Sequence, residues 1–185
     1  MKHVKKDRRT RLITGGAVVA LGLAGVGAYS ASAGGGRAAA PAAAAGAKSG
    51  NTASVSRLTV AAATEAAGAA LEAAEKENQR VTVAVVDRDG RAVVTLRGDG
   101  AGPQSYESAI RKAYTAVSWN APTSVLAGRL DRAPHLKDVP GTLFLGGGAP
   151  VTADGAPVAG IGVAGAPSGD LDEEFARAGV AALAQ

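Results

Sequence analysis

The feature that most constrains this chain is its shortage of large side chains. Only six of its 185 residues are aromatic (one Trp, three Tyr and two Phe), although 46% of the sequence is hydrophobic. A core must therefore be built from Ala, Val, Leu and Ile. Subunit contacts made of such small side chains would be close, so we expect obligate self-assembly. Cysteine is absent, which excludes disulfides, zinc–thiolate sites, iron–sulfur clusters and thiol nucleophiles.

The first 33 residues have the organisation of a secretory signal peptide. Residues 2–11 are positively charged, residues 12–28 are apolar and uncharged, and the Ala-Ser-Ala motif at 31–33 is a small-x-small cleavage site. The Arg-Arg pair at 8–9, followed by a weakly hydrophobic segment, resembles a twin-arginine signal. Such a signal would export the protein already folded. A retained membrane anchor is the alternative, but 17 Gly-rich residues are at the short limit for a spanning helix.

The whole-chain charge of +4 is a property of this leader. Of the 20 basic and 16 acidic residues, six basic residues and one acid lie in 1–33, which leaves 14 and 15, a net charge of −1. The exported part therefore lacks a basic footprint, and we expect no nucleic-acid partner. Residues 34–54 are rich in Ala and Gly and predict a flexible linker. The folded domain is predicted to span 55–185.

The predicted domain alternates helical and extended patterns. Thr59 can cap an Ala-rich first helix, and an Asp-Gly turn joins two β-branched segments into an antiparallel hairpin. The predicted packed stripe of this helix is Ala63, Ala66, Ala67, Ala70, Leu71 and Ala74. The predicted helices cover 60–78, 104–119, 123–130 and 170–183, and the predicted strands cover 81–86, 92–96, 142–145 and 157–163. Hairpins without regular βαβ crossovers favour an α+β structure with an antiparallel sheet.

The helix over 104–119 carries the first candidate site. Its apolar side, the side of a helix that packs on a core, carries Tyr106, Ile110, Ala113, Tyr114 and Val117. Ser108, Arg111, Lys112 and Thr115 share another face. Hydroxyl groups flanked by a guanidinium and an ammonium can bind carboxylates such as the propionates of haem. A solvated helix face is the alternative.

Glu72 and Glu75 form the second candidate site, because carboxylates three residues apart on a helix point the same way. Two hard oxygen ligands can hold ferric iron, and an acidic solvated face is the alternative. Asp170 and Glu173 have the same spacing, which an acidic capping box already explains.

His135 is the one imidazole of the predicted domain, which makes it a candidate axial haem ligand by chemistry, although a single loop histidine is commonly a surface residue. The glycine-rich run 143–151 leads to Pro150 and contains no Lys. Nucleotide binding is therefore not predicted there, and a tight turn is.

Four sequence blocks resemble, in order, the GlcG/HbpS family, also called the haem-degrading or DUF336 domain. They are VAVVDRDGRAVVTLRGDGA, SYESAIRKAYTAVSW, PGTLFLGGGAPV and GAPVAGIGVAGAPSGDLDEEFARAG. The match covers about 58–185, and the export signal resembles the exported actinobacterial haem-binding branch. The resemblance implies a profilin/PAS-like α+β sandwich, with a five-stranded antiparallel sheet and flanking helices.

The resemblance also implies a function. Exported relatives assemble as octamers, bind and degrade haem, take up the released iron, and are linked to a membrane sensor histidine kinase. A threonine implicated in haem coordination maps onto Thr115, and the acidic iron motifs of that branch match Glu72 and Glu75. The resemblance indicates no catalytic residue. A non-enzymatic sensor module and a corrinoid- or small-molecule-binding scaffold remain open as alternatives.

Overall fold

The structure is a computed structural model that describes residues 45–184. The predicted signal peptide and the first part of the predicted linker lie outside these residues. The chain divides into two units, Met1–Gly46 and Ala47–Gln185, and the second carries the following elements. In chain order they are α1 (Val60–Lys76), β1 (Thr82–Asp87), β2 (Ala92–Arg97), α2 (Pro103–Trp119), α3 (Thr123–Ala127), β3 (Gly148–Ala153), β4 (Ala156–Ala164) and α4 (Gly169–Ala182).

Within residues 45–184, four antiparallel strands form one sheet in the order β2-β1-β4-β3. This confirms the α+β class, but the sheet has four strands where the resemblance implied five. The strand predicted over 142–145 is wrong, because the Leu143 amide donates to the hydroxyl of Thr115 instead of to a neighbouring strand. The third strand begins later, at Gly148, where the glycine triplet was expected to break the chain.

The face of the sheet covered by α1 and α4 is apolar. The α1 helix begins as predicted, with the Thr59 hydroxyl accepting a hydrogen bond from the Ala62 amide at 3.1 Å. The strands contribute the larger side chains to this face, including Val83, Val85 and Ile161, and α1 packs alanines against them. Of the predicted stripe of α1, Leu71 is only half-buried, and the buried members are the alanines Ala63, Ala66, Ala67, Ala70 and Ala74.

The opposite face is covered by α2, and there the strands contribute the small residues. A Cβ atom at Gly162 would overlap with the carbonyl oxygen of Ala109, so the helix backbone lies directly on β4. The predicted packing side of α2 is therefore only partly right. Tyr106 is 50% exposed, because no ring fits between the helix and the glycines, whereas Ala113 is buried as predicted.

A separate, smaller apolar cluster is formed by the end of α2, by α3 and by the segments that precede β3. Trp119 packs edge-on against Phe144 with 5.3 Å between the ring centroids, and Leu126 of α3 is buried with them. The helix predicted over 123–130 ends early, at Ala127, and a 3₁₀ turn follows it.

The α4 helix begins with a cap that the sequence analysis did not assign. The Ser168 hydroxyl accepts a hydrogen bond from the Leu171 amide at 3.2 Å, so the capping box predicted from Asp170 and Glu173 is wrong. The Glu173 carboxylate points inward instead, towards Ser124 and Gly147. None of the helices within residues 45–184 has the length and apolar character needed to cross a membrane.

Candidate functional site

Lys112 lies on the inner side of α2 and is only 5% exposed. Its ammonium donates to the carbonyl oxygen of Val163 at 3.0 Å and to Oδ2 of Asp172 at 2.7 Å. Asp172 also accepts a hydrogen bond from the Ala166 amide at 3.0 Å. The ion pair therefore joins α2, the end of β4 and the first turn of α4, and the solvated-face interpretation is wrong for Lys112.

Burial has the largest influence on Asp172. Desolvation raises the pKa of this carboxyl above its ordinary value, and the hydrogen bond and charge of Lys112 oppose that shift. Two of the three ammonium hydrogens of Lys112 are engaged by this contact and by Val163. Lys112 therefore has a structural role, because it connects α2 to β4 and α4.

Thr115 and Arg111 contact the segment that follows α3. Thr115 has no exposed surface; its hydroxyl donates to the carbonyl of Arg111 at 2.7 Å and accepts from the Leu143 amide at 2.8 Å. Nη2 of Arg111 donates to the carbonyl of Thr142 at 2.7 Å. This face of α2 is therefore covered by protein, and the solvated-face interpretation is also wrong for Thr115.

Sequence reasoning missed the role of Glu173, which is 2% exposed. Its carboxylate accepts hydrogen bonds from the hydroxyl and amide of Ser124, at 2.7 and 2.9 Å, and from the amide of Gly147. It also forms an ion pair with Arg177. One signal was available: Glu173 lies three residues before Ala176, a core residue of α4, so helical periodicity places it on the inner face.

Ser108 and His135 complete the predicted haem-binding set. Ser108 is half-buried on the same side of α2 as Arg111. His135 lies in the 3₁₀ segment Pro134–Asp138, where its side chain is 95% exposed and its Nδ1 is 3.6 Å from a carboxylate oxygen of Asp138. The structure thus gathers four of the five residues on α2 and leaves His135 on the surface.

Glu72 and Glu75 are exposed near the end of α1, as predicted. Glu72 pairs with Lys76 at 2.9 Å, and this hydrogen bond lowers the pKa of Glu72, which keeps it ionised. Glu75 borders a polar groove of about 220 Å³, whose lining residues are Glu75, Asn78, Gln79, Arg80, Gly98 and Asp99. Across the stretch 45–184, no three His, Asp or Glu side chains converge as a metal-binding group.

The buried polar side chains on the α2 side form a closed cluster. Every buried side-chain nitrogen or oxygen in the part of the chain that the structure describes has a hydrogen-bond partner. Fold and site together define an α+β domain that buries a fully satisfied polar cluster against one face of an antiparallel sheet.

Comparison with known proteins gives this class a family. A family model described as "Haem degrading protein HbpS-like" matches residues 58–181. The chain is similar to a double mutant of Streptomyces reticuli HbpS, in which two glutamates are replaced by aspartate. Their sequence identity is 71%, the similarity covers 76% of this chain and 96% of that chain, and the TM-score is 0.75.

Two further solved structures are similar to the chain. A second HbpS structure has 72% identity, covers 74% of this chain and 97% of its own, and has a TM-score of 0.74. A complex of PduOC with haem has 28% identity, covers 69% and 95%, and has a TM-score of 0.63. No curated protein sequence matched. The chain belongs to the HbpS-like family, which confirms the resemblance drawn from the four sequence blocks.

Proposed function

We propose that this protein binds haem, promotes its oxidative breakdown and binds the iron that is released. The match of the haem-degrading family to residues 58–181 carries this proposal, because it spans the secondary structure from α1 into α4. The related PduOC structure contains haem, which favours haem over a corrinoid as the ligand of this chain.

The proposed haem site is the α2 face formed by Ser108, Arg111, Lys112 and Thr115, with His135 as a further candidate from the neighbouring segment. Arg111 is the best-suited partner for a propionate, because a guanidinium binds a carboxylate through two parallel hydrogen bonds. Only one of its nitrogens is engaged with Thr142. Thr115 and Lys112 are engaged within the protein, so the site needs a rearrangement before it accepts a ligand.

The proposed iron site is the Glu72 and Glu75 pair. The Streptomyces reticuli variant replaces two glutamates three positions apart, and Glu72 and Glu75 are the one pair of glutamates with that spacing in this sequence. Both side chains are exposed, and Asp99 borders the groove beside Glu75. Carboxylate oxygens are the ligands that hard ferric iron prefers.

We further propose that the protein is exported through the signal in residues 1–33, assembles into an octamer, and acts upstream of a membrane sensor histidine kinase. The charge pattern and cleavage motif of the leader support export. Assembly is supported by exposed apolar side chains on the folded unit, including Val125, Val139 and Leu145.

The test of haem breakdown is a spectroscopic titration of the purified chain with hemin, followed by hydrogen peroxide. We expect a saturable shift of the Soret band and then loss of the band with release of a biliverdin-like product. Saturable binding without product would favour the non-enzymatic sensor, and competition by cobalamin would favour the scaffold. A spectrum indistinguishable from free hemin would contradict the proposal.

The test of the iron site is ferric citrate binding to Glu72→Gln/Glu75→Gln. We expect at least a tenfold weaker affinity than the unchanged chain. Glu65→Gln is the matched control, because Glu65 is an exposed acid on the same helix outside the pair. Equal loss in the control would show that general surface charge, and not this pair, holds the iron.

A further inference from the structure

Residues 139–147, which we call the strap, cross the α2 face without forming a helix or a strand. Two hydrogen bonds hold the middle of the strap to α2. They are the bond from Arg111 to the Thr142 carbonyl, at 2.7 Å, and the bond from the Leu143 amide to the Thr115 hydroxyl, at 2.8 Å. Because they come from adjacent turns of one helix, both must break for the strap to leave α2.

The two ends of the strap differ in how firmly they are fixed. At its C-terminal end, the Gly147 carbonyl accepts from the Val163 amide at 2.8 Å, and the next residue, Gly148, donates to the Thr123 hydroxyl at 2.8 Å. At the other end the strap continues from the 3₁₀ segment Pro134–Asp138, whose residues are exposed except for Leu136, which packs against the cluster around Phe144. Gly141 near that end has a φ of +80°, a conformation that favours glycine. Hinge positions are often small residues of this kind.

The strap covers the side chains that a flat aromatic ligand with carboxylates would use. Phe144 of the strap is 5% exposed and packs edge-on against Trp119, the one tryptophan of the sequence. Thr115 beneath the strap is completely buried. This cluster is separate from the main core between the sheet and α1, so lifting Phe144 would leave that core intact.

We propose that the strap is a lid over the haem site and that Thr115 is the positioning residue that holds it shut. This inference rests on the proposed function. When the strap lifts, Phe144 leaves the face of Trp119 and Arg111 is released from the Thr142 carbonyl. A flat apolar ring can then pack against Trp119 while its carboxylate binds the guanidinium.

A closed lid lowers the apparent affinity by the fraction of molecules that are open. Loss of one strap hydrogen bond should therefore strengthen ligand binding instead of weakening it. A typical net hydrogen bond corresponds to about a 3- to 10-fold change in the open fraction.

The test compares Thr115→Val, which keeps the volume and removes the hydroxyl, with Thr115→Ser, which keeps the hydroxyl. We expect Thr115→Val to speed hydrogen exchange of the Leu143 amide, acrylamide quenching of Trp119 fluorescence, and hemin association, each by about 3- to 10-fold. Thr115→Ser should restore the unchanged rates. Thr64→Val is the matched control, because the Thr64 hydroxyl makes the same bond to a carbonyl four residues earlier but lies on α1.

Gly141→Ala is a second variant for the case that Thr115→Val does not fold. A Cβ there would be 3.5 Å from the Tyr114 ring, an ordinary contact, so the change acts through backbone strain in the closed strap. We expect faster exchange of the Leu143 amide here as well.

The outcomes separate the lid from the proposed function. Unchanged exchange of the Leu143 amide in Thr115→Val, or in Gly141→Ala if the former does not fold, would overturn the lid. Weaker hemin binding despite faster exchange would also overturn it, because release of the strap would then not favour haem binding. If the unchanged chain does not bind hemin at all, the proposed function fails, while the exchange rates still decide whether Thr115 holds the strap.

Discussion

The two faces of the sheet are packed by different chemistry. Towards α1 and α4, the strands present valines and Ile161, and the helices present alanines and Phe175. Towards α2, the strands present mainly Ala84, Gly160 and Gly162 together with Val86, and the buried side chains include a lysine, two acids and several hydroxyls. The small residues therefore lie mainly on the helices on one face, whereas on the other face both the strands and α2, with Ala109, Ala113 and Ala116, contribute them.

The difference follows from how closely the backbones approach. Because α2 lies directly on the glycines of β4, the Val163 carbonyl comes within reach of Lys112. Other buried side chains accept from the amides of Leu143, Gly147 and Gly148 on the same side of the sheet. Buried main-chain groups need hydrogen-bond partners, and the polar cluster provides them. A substitution on the α1/α4 face should therefore lower the stability through lost packing volume. A substitution on the α2 face should lower it by leaving a buried polar or charged group without its partner.

The largest expected effect comes from breaking the buried ion pair. Asp172→Ala leaves the Lys112 ammonium buried without its counter-charge, and we expect the free energy of unfolding in urea to fall by about 3–5 kcal/mol. Asp170→Ala is the control, because Asp170 is exposed in the same helical turn. A loss below about 1 kcal/mol for Asp172→Ala would contradict the comparison, because a broken ion pair on the α2 face would then cost no more than a small truncation on the apolar face.

The next effect tests the close approach itself. Gly162→Ala places a Cβ atom onto the carbonyl oxygen of Ala109, so α2 must move, and we expect a loss of about 3 kcal/mol in the same assay. Gly128→Ala is the control, because a Cβ there meets nothing within 4 Å and its φ is −64°. Equal stability of the two variants would show that α2 can shift without penalty.

A substitution on the apolar face should lower the free energy of unfolding by less. Ile161→Val removes one methylene beneath α1 and α4, and we expect a loss of about 1 kcal/mol. Val60→Ala is a matched apolar truncation at a residue that is 66% exposed at the start of α1, and it should have almost no effect. A loss above about 2.5 kcal/mol for Ile161→Val would remove the contrast between the faces.

The sequence predicts the apolar face better than the α2 face, and the reason is local. The cap at Thr59, the alanine stripe of α1 and the hairpin between β1 and β2 each depend on residues near one another in the chain, and all three are confirmed. The side of α2 that is buried depends on Gly160 and Gly162, about fifty residues away. Local amphipathicity therefore placed Tyr106 inside, whereas it is half exposed.

The candidate site shows the same limit. Helical spacing places Arg111 and Thr115 on one face with Lys112 beside them, but the partners of these side chains include the main-chain atoms of Leu143, Thr142 and Val163. Main-chain groups have no side-chain signature, so no spacing rule reveals that these side chains are already engaged. Residues 142–145 show the same limit. Their apolar pattern predicts a strand, but the Leu143 amide donates to the Thr115 hydroxyl instead of to a neighbouring strand.

The smallest expected effect is a difference between the two faces in how their contribution to stability depends on pH. It arises because buried acids lie only on the α2 side of the described core. Burial raises the pKa of Asp172 above its ordinary value of 3.8, against the pull of Lys112. The folded state then keeps a proton that the unfolded chain has lost. The stability contributed by Asp172 is thus fully present below pH 3.8 and is lost as the pH rises through the folded pKa.

Relative to Asp172→Asn, which cannot titrate, the unchanged chain should therefore lose stability as the pH rises above 3.8 and through the raised pKa of Asp172. Carboxyls with lowered pKa values, such as Glu72, act in the opposite direction in both proteins and cancel in the difference. Ile161→Val should run parallel to the unchanged chain. A difference of the opposite sign would mean that the hydrogen bonds from Lys112 and Ala166 outweigh burial, so that the α2 face holds its acid as a carboxylate throughout.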